Sequence, residues 1–147
     1  MITAEQMNRA GEGRLPGHLG LIIVQMDAAK VIAELPIVAT LMAPNGYLHA
    51  ASVIALADTC AGYGCVANLP EGAGGFTTVE LKSNHLGTAL EGTLLGVATP
   101  AHLGKTTQVW DAVVSHKESG RTLALFRCTQ MILYTRPKSI APSFNLK

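Results

Sequence analysis

One carboxylate in this sequence sits where a charged group is expensive. Asp58 lies in the middle of an apolar stretch, Ala55-Leu56-Ala57-Asp58-Thr59-Cys60, whose composition favours a helix. A carboxylate among apolar neighbours costs free energy unless it is hydrogen-bonded, protonated or used in chemistry. Asp58 is therefore either a catalytic acid or base or part of a structural hydrogen-bond network, and the residues alone leave both open.

The start of the same predicted helix carries a second chemical feature. His49 lies in its first turn and is followed by backbone amides, beginning with that of Ala50, that have no acceptor within the helix. Free amides at a helix N-terminus, together with the helix dipole, can stabilise a developing oxyanion. Every helix has such an end, so the feature suggests a site only in combination with Asp58.

The spacing of these two groups predicts a site shared between subunits. Ala50 and Asp58 are eight residues apart, which is about 12 Å along one helix axis. One carbonyl cannot lie within about 3 Å of both groups in a single chain. If they cooperate, two helices of a dimer must run antiparallel, and a two-fold axis then creates two equivalent sites.

Other polar residues are weaker candidates. Asn84 and His85 end a predicted strand and could line a cleft. A hairpin tip holds His102, Gly104 and Lys105, and the lysine could contact a phosphate, although most tip lysines are only solvated. We find no zinc-ligand spacing, phosphate-binding loop or nucleophile elbow in the sequence.

Composition excludes several classes of protein. The chain has 147 residues, 48% hydrophobic and 14% charged residues, and a formal net charge of +1. This hydrophobicity excludes intrinsic disorder, and the charge gives no sign of a nucleic-acid or anionic membrane partner. So few charges indicate that self-association covers part of the surface. Three cysteines without disulfide or zinc spacing, and no signal-peptide pattern near Met1, lead us to expect a cytoplasmic protein.

The order of elements predicts an α+β fold, with one long helix packed against a curved antiparallel sheet of about five to six strands. Thr3 and Gln6 fit a capping box for a short first helix, and glycines from Gly11 to Gly17 predict a loop. The short connections between the later strands favour antiparallel pairing of chain neighbours. The strands are predicted at residues 19–26, 30–35, 76–84, 92–101, 106–117 and 121–134, and the long buried helix at residues 48–68.

These motifs, in this order, resemble the hotdog-fold acyl-CoA thioesterases, most closely the phenylacetate-pathway type and the 4-hydroxybenzoyl-CoA thioesterases. The resemblance covers about Leu19 to Tyr134 and rests on five motifs, Asn45-Gly46-Tyr47-Leu48-His49-Ala50-Ala51, Leu56-Ala57-Asp58-Thr59, Leu81-Lys82-Ser83-Asn84-His85, Ala101-His102-Leu103-Gly104-Lys105 and Ala124-Leu125-Phe126-Arg127. It implies homodimers, often paired into homotetramers, with active sites at the subunit interface.

The resemblance also implies a role for each candidate residue. Asp58 would attack the thioester carbonyl or activate a water, the Ala50 amide would hold the carbonyl oxygen, and His49 would help to position it. Thr59 would orient Asp58 or the water. No metal or bound cofactor would be needed, because the thioester is already activated and CoA is part of the substrate. The residues implied to line the cleft or contact CoA are Asn45, Asn84, His85, His102, Gly104, Lys105 and Thr106.

The predicted organisation is an N-terminal helix and loop over residues 1–18, a hotdog thioesterase-like domain over residues 19–135, and a flexible tail over residues 136–147. A hotdog dehydratase or hydratase, and a non-catalytic acyl-CoA-binding protein, are the alternative functions. The second alternative draws on Ala50-Ala51, because the family usually has two glycines after the histidine.

Overall fold

The computed structural model describes residues 2–134, and the predicted tail over residues 136–147 lies outside them. The helices are α1 (Ala4–Gly11), α2 (Leu15–Leu19) and α3 (Ala50–Ala67), with a short 3-10 turn at Ala39–Leu41. The strands are β1 (Ile22–Met26), β2 (Val31–Pro36), β3 (Gly75–His85), β4 (Thr93–Leu103), β5 (Thr107–His116) and β6 (Thr122–Leu133).

The six strands form one antiparallel sheet in the order β1-β2-β4-β5-β6-β3. The long helix α3 packs on one face of this sheet, mainly against β4 and β5. The fold is therefore α+β, with a single long helix enclosed by a curved antiparallel sheet, which confirms the predicted fold class and strand number.

β3 does not pair with its neighbour in the chain, contrary to the expectation from short connections. It pairs with β6 from Gly75 opposite Leu133 to His85 opposite Ala124, and it forms one edge of the sheet. The connection over residues 86–92 is longer than a hairpin turn, so the chain can pass from this edge to β4 in the interior. Within residues 2–134, the outer edge of β3 has no strand partner.

Small residues at the interface allow α3 to pack closely against the sheet. A Cβ built on Gly64 would lie 2.4 Å from the Trp110 ring, and one on Gly96 would lie 2.8 Å from Leu56, so neither glycine leaves room for a side chain. α3 is long and apolar enough to cross a bilayer by length and composition, but more than half of it is buried against the rest of the domain. It is the core helix of this fold.

The N-terminal region corrects one sequence-based prediction. The capping box between Thr3 and Gln6 forms as predicted and starts α1. The predicted loop and strand start, however, are replaced by the short helix α2, and β1 begins only at Ile22. Pro16 suits the first turn of a helix, and Gly20 ends this one with φ of +82°.

Candidate active site

Asp58 lies on the half-open side of α3. Ala51, Ile54, Ala55 and Asp58 form a stripe at helical spacing that keeps partial or full exposure, while residues 60–66 are buried. The stripe faces β3, because a Cβ built on Gly62, one turn beyond Asp58, would lie 3.1 Å from the Phe76 ring. Asp58 therefore lies on the side of α3 that faces the edge strand β3.

One oxygen of the Asp58 carboxylate is shielded from solvent and is not engaged by another described residue. This oxygen, Oδ1, is buried and finds no hydrogen-bond partner within residues 2–134. Burial raises the pKa of the Asp58 carboxyl above its ordinary value of 3.8, because the charged form loses hydration. Such a group is a stronger base and a better nucleophile than a solvated aspartate.

The N-terminus of α3 is capped by a histidine. His49 Nδ1 accepts a hydrogen bond from the Ala51 amide at 2.9 Å, and the His49 amide donates to the Leu41 carbonyl at 3.1 Å. Ser52 Oγ donates to the same carbonyl at 2.9 Å, which ties the preceding loop to the helix. The Ala50 amide, at the first helical position, has no acceptor within the helix and is exposed.

The turn before the helix holds Asn45 in a structural contact. Its Oδ1 accepts a hydrogen bond from the Tyr47 amide at 3.2 Å, and Gly46 has φ of +85°. The turn therefore uses the oxygen of Asn45 and requires the conformational freedom of Gly46. Thr59 follows Asp58 and is half-buried, and within the described part of the chain its hydroxyl forms no hydrogen bond with Asp58.

The two residues at the end of β3 face opposite sides of the sheet. His85 lies opposite the buried Ala124 and is on the helix side, whereas Asn84 lies opposite the exposed Leu125 on the outer face. Across β6 and β5, His85 is in register with Gly96, which packs against Leu56. His85 is therefore near the N-terminal half of α3.

The hairpin tip between β4 and β5 lies at the other end of the helix. Gln108, at the start of β5, donates a hydrogen bond from Nε2 to the Asn68 carbonyl at 2.7 Å, and Asn68 caps the C-terminus of α3. Asn68 is ten residues beyond Asp58, or about 15 Å along the helix axis. The tip residues are His102, Gly104, Lys105 and Thr106, and apart from Gly104 they are exposed.

A single chain thus does not bring the predicted site residues together. Asp58 is central, the Ala50 amide and His85 lie toward the N-terminal end of α3, and the tip with Lys105 lies toward its C-terminal end. Within residues 2–134, no three histidine, cysteine or acidic side chains cluster as a metal site.

A buried polar pair on β6, Cys128 and Gln130, was not predicted from the sequence. Gln130 Nε2 donates to Cys128 Sγ at 3.3 Å, and Thr78 Oγ1 donates to Gln130 Oε1 at 2.8 Å. Burial, and then the nearby Asp58 carboxylate, raise the pKa of the Cys128 thiol to about 12. The thiol is therefore neutral and is not a nucleophile. The alternation along β6 indicates that both residues face inward, but only the fold reveals that Cys128 lies near Asp58.

Known proteins share this architecture. The thioesterase superfamily model matches residues 45–123, which include Ala50, Asp58, His85 and the hairpin tip. The 1,4-dihydroxy-2-naphthoyl-CoA hydrolase of Escherichia coli is 33% identical over 135 residues, covering 90% of this chain and 96% of that protein. The proofreading thioesterase EntH of Klebsiella pneumoniae is 31% identical over 132 residues, with 90% and 95% covered.

Solved structures agree with this result. A thioesterase from Haemophilus influenzae superposes with a TM-score of 0.86 at 26% identity, over 94% of this chain and 96% of that one. A thioesterase from Pseudomonas aeruginosa, solved as a glutamine-to-alanine mutant, gives 0.83 at 26% identity, over 88% and 93%. The chain belongs to the thioesterase superfamily and has its hotdog fold. It is a thioester hydrolase, as the sequence predicted. The family match and the named relatives therefore favour hydrolysis over the hydratase alternative.

Proposed function

We propose that this protein is a homodimeric acyl-CoA thioesterase that hydrolyses a small or aromatic acyl-CoA, with Asp58 of one subunit facing the Ala50 amide of the other. The observation that carries the proposal is the Asp58 carboxylate on the half-open stripe of α3. Its buried Oδ1 has no hydrogen-bond partner within residues 2–134, and it lies about 12 Å along the helix from the Ala50 amide of its own chain. Membership of a thioesterase family supports the reaction type.

The surface that would join the subunits is the open edge of β3 with the neighbouring stripe of α3. The edge strand is 11 residues long, and its side chains are mostly exposed, with Val79 at 50% and Leu81 at 41%. A long exposed edge with apolar side chains is a template for strand pairing. Two-fold pairing of β3 with its copy would continue the sheet and lay the two α3 helices antiparallel.

The same symmetry would assemble the separated parts of the site. Antiparallel helices bring the Ala50 end of one subunit toward Asp58 of the other. They also bring the Lys105 tip of one subunit toward His85 of its partner, because these groups lie at opposite ends of α3. The tip would then lie along the pantetheine or nucleotide of CoA, with Lys105 positioned for a phosphate.

The chemistry needs one base and one oxyanion donor. The Ala50 N–H would donate a hydrogen bond to the thioester oxygen as negative charge develops on it. His49, whose Nδ1 accepts a hydrogen bond from the Ala51 amide, would present Nε2 to the substrate. Asp58 either attacks the carbonyl carbon to form an anhydride, which water then cleaves, or removes a proton from an attacking water. Both routes break the C–S bond, and the products are a carboxylic acid and CoA with a free thiol.

Several narrower features belong to the same proposal. We place the protein among the phenylacetate-pathway type on its Leu-Ala-Asp-Thr motif, and we expect dimers to pair into tetramers. Aromatic acyl groups are favoured because one relative is a dihydroxynaphthoyl-CoA hydrolase. Three free cysteines suit the reducing conditions of the cytoplasm.

The direct test is a hydrolysis screen over short, long and aromatic acyl-CoAs, following the release of free thiol. We expect turnover of at least one small or aromatic acyl-CoA, and Asp58→Ala should lower its kcat by about 100- to 10,000-fold. Ser115→Ala, on the exposed side of β5, is the control and should keep full activity. Equal turnover by Asp58→Ala would remove Asp58 from the mechanism, and CoA binding without any hydrolysis would indicate a non-catalytic binding protein.

A further inference from the structure

Tyr134, which none of the site motifs includes, contacts the hairpin tip. It follows the last strand, β6, and its phenol hydroxyl donates a hydrogen bond to the backbone carbonyl of Lys105. Its ring also approaches the turn after α3, since a Cβ built on Gly72 would lie 3.9 Å from the ring. Tyr134 therefore joins the tip to two other parts of the fold.

Backbone hydrogen bonds, one within the tip and one from β6, hold the rest of the tip. The Gly104 amide donates to the Thr107 carbonyl at 2.9 Å, and the Ile132 amide donates to the Thr106 carbonyl at 2.9 Å. The His102 ring lies over Gly104, where a Cβ would come within 2.6 Å of Nε2. Lys105 stands between these bonds, and the phenol of Tyr134 fixes its carbonyl.

The side chain of Lys105 is free for a ligand. It is exposed and forms no ion pair within residues 2–134. A lysine loses side-chain entropy when a ligand orders it. If its backbone is already fixed, no further backbone entropy is lost on binding, so the total entropic cost is smaller. The hydrogen bond from Tyr134 to the Lys105 carbonyl thus orders the backbone of Lys105 and leaves its side-chain ammonium group available to bind a ligand.

We propose that Tyr134 is a positioning residue that orders the Lys105 tip for the phosphates of CoA, so that it strengthens substrate binding and leaves the chemical step unchanged. This inference rests on the proposed function, in which the tip contacts CoA. It assigns no contact between Tyr134 and the substrate. Its effect should therefore appear in KM and not in kcat.

The test compares two thioesters of the same acyl group, one on CoA and one on N-acetylcysteamine, which lacks the nucleotide and its phosphates. Tyr134→Phe removes only the hydroxyl and should raise KM for the acyl-CoA by about 2- to 10-fold, the worth of one hydrogen bond. The kcat should stay the same, and the N-acetylcysteamine thioester should show no change. The dissociation constant of free CoA, measured by calorimetry, should rise by the same factor as KM.

Two further variants separate the possible failures. Tyr63→Phe removes a phenol hydroxyl next to α1 and should change neither KM nor kcat. Lys105→Ala should raise KM for the acyl-CoA at least as much as Tyr134→Phe does. If Lys105→Ala raises KM and Tyr134→Phe does not, Tyr134 has no positioning role. If neither variant changes KM, the contact of the tip with CoA is also wrong. An equal loss on the N-acetylcysteamine thioester would show a general disturbance and would overturn the inference.

Discussion

The Ala51 amide donates a hydrogen bond to His49 Nδ1 at 2.9 Å, across the first turn of α3. This bond occupies one of the amides that a helix leaves unpaired at its N-terminus and holds the imidazole beside the helix end. The neighbouring Ala50 amide is left without an intrahelical acceptor. In the function we propose, this Ala50 amide is the donor to a substrate oxygen.

Removing that donor should lower kcat with little effect on folding. Proline has no N–H, is well accepted at the first helical position, and requires extended backbone at the residue before it, which His49 already has. Ala50→Pro should therefore keep the thermal midpoint and lower kcat by about 100- to 1,000-fold, the usual worth of an oxyanion donor. Ala50→Gly keeps the amide and serves as the control. Full activity of Ala50→Pro in the hydrolysis assay would exclude the proposed donor.

The pH dependence of activity follows from the burial of Asp58. Its pKa is raised above 3.8, and only the carboxylate can act as base or nucleophile. The acid limb of kcat/KM should therefore lie above that of a solvated aspartate, and activity should fall as pH drops through the raised pKa. A pH profile of kcat/KM measures this directly. An acid limb at or below 3.8 would contradict it.

The same burial makes Asp58 a cost to stability near neutral pH. An acid whose folded pKa is raised stabilises the fold in its protonated form, and that stability is lost as pH rises through the folded pKa. Asp58→Asn should therefore raise the thermal midpoint at pH 7, and the gain should shrink as pH approaches about 4. Thermal melts of both proteins across this range provide the measurement. A lower midpoint for Asp58→Asn at pH 7 would show that the carboxylate has a structural partner.

The two edges of the sheet should respond differently to a charge. Val79 on β3 is 50% exposed and Val24 on β1 is 48% exposed, so the pair is matched for exposure. Asn8 already covers the backbone of β1, because its side chain bonds both the amide and the carbonyl of Ile23. Val79→Asp should halve the molar mass measured by light scattering, whereas Val24→Asp should not. Dissociation by both variants, or by neither, would argue against β3 as the pairing edge.

The packing of α3 gives a prediction on stability. Gly64→Ala places a methyl group 2.4 Å from the Trp110 ring and should cost about 1–3 kcal/mol of unfolding free energy through overpacking. Gly62→Ala meets only the edge of Phe76 at 3.1 Å and gains the same helix propensity, so it is the matched control. Chemical denaturation should therefore place Gly64→Ala below Gly62→Ala, and the reverse order would contradict this packing.

Much of the fold could be predicted because the signals are local. The apolar run around Asp58 indicated a buried helix, and the alternation along β5 indicated a strand. The capping box of Thr3 formed as predicted. The place of β3 could not be predicted, because pairing with β6 depends on the whole sheet and not on any nearby residue. The helix α2 could not be predicted either, because its five residues are too few to show a periodic pattern.

The candidate site was only partly predictable for a related reason. Asp58 and the helix start were found because the cost of a buried charge and the free amides of a helix end follow from their own segments. The position of Cys128 near Asp58 was missed, since nothing in the sequence around Cys128 indicates it. Asn84 and His85 are adjacent in sequence, but the pleat of β3 sends their side chains to opposite faces.

A subunit-mixing experiment tests the shared site most directly. Asp58→Asn and Ala50→Pro are each expected to be inactive, but a mixed dimer contains one site with the intact amide of the first variant and the intact carboxylate of the second. The two variants are co-expressed with different tags and at equal yields. Half of the dimers are then mixed, and one of the two sites in each mixed dimer is complete. About a quarter of wild-type activity should therefore be recovered. Recovery at that level is the result we expect. Mixed dimers that form but stay as inactive as either parent would contradict a site built from two subunits.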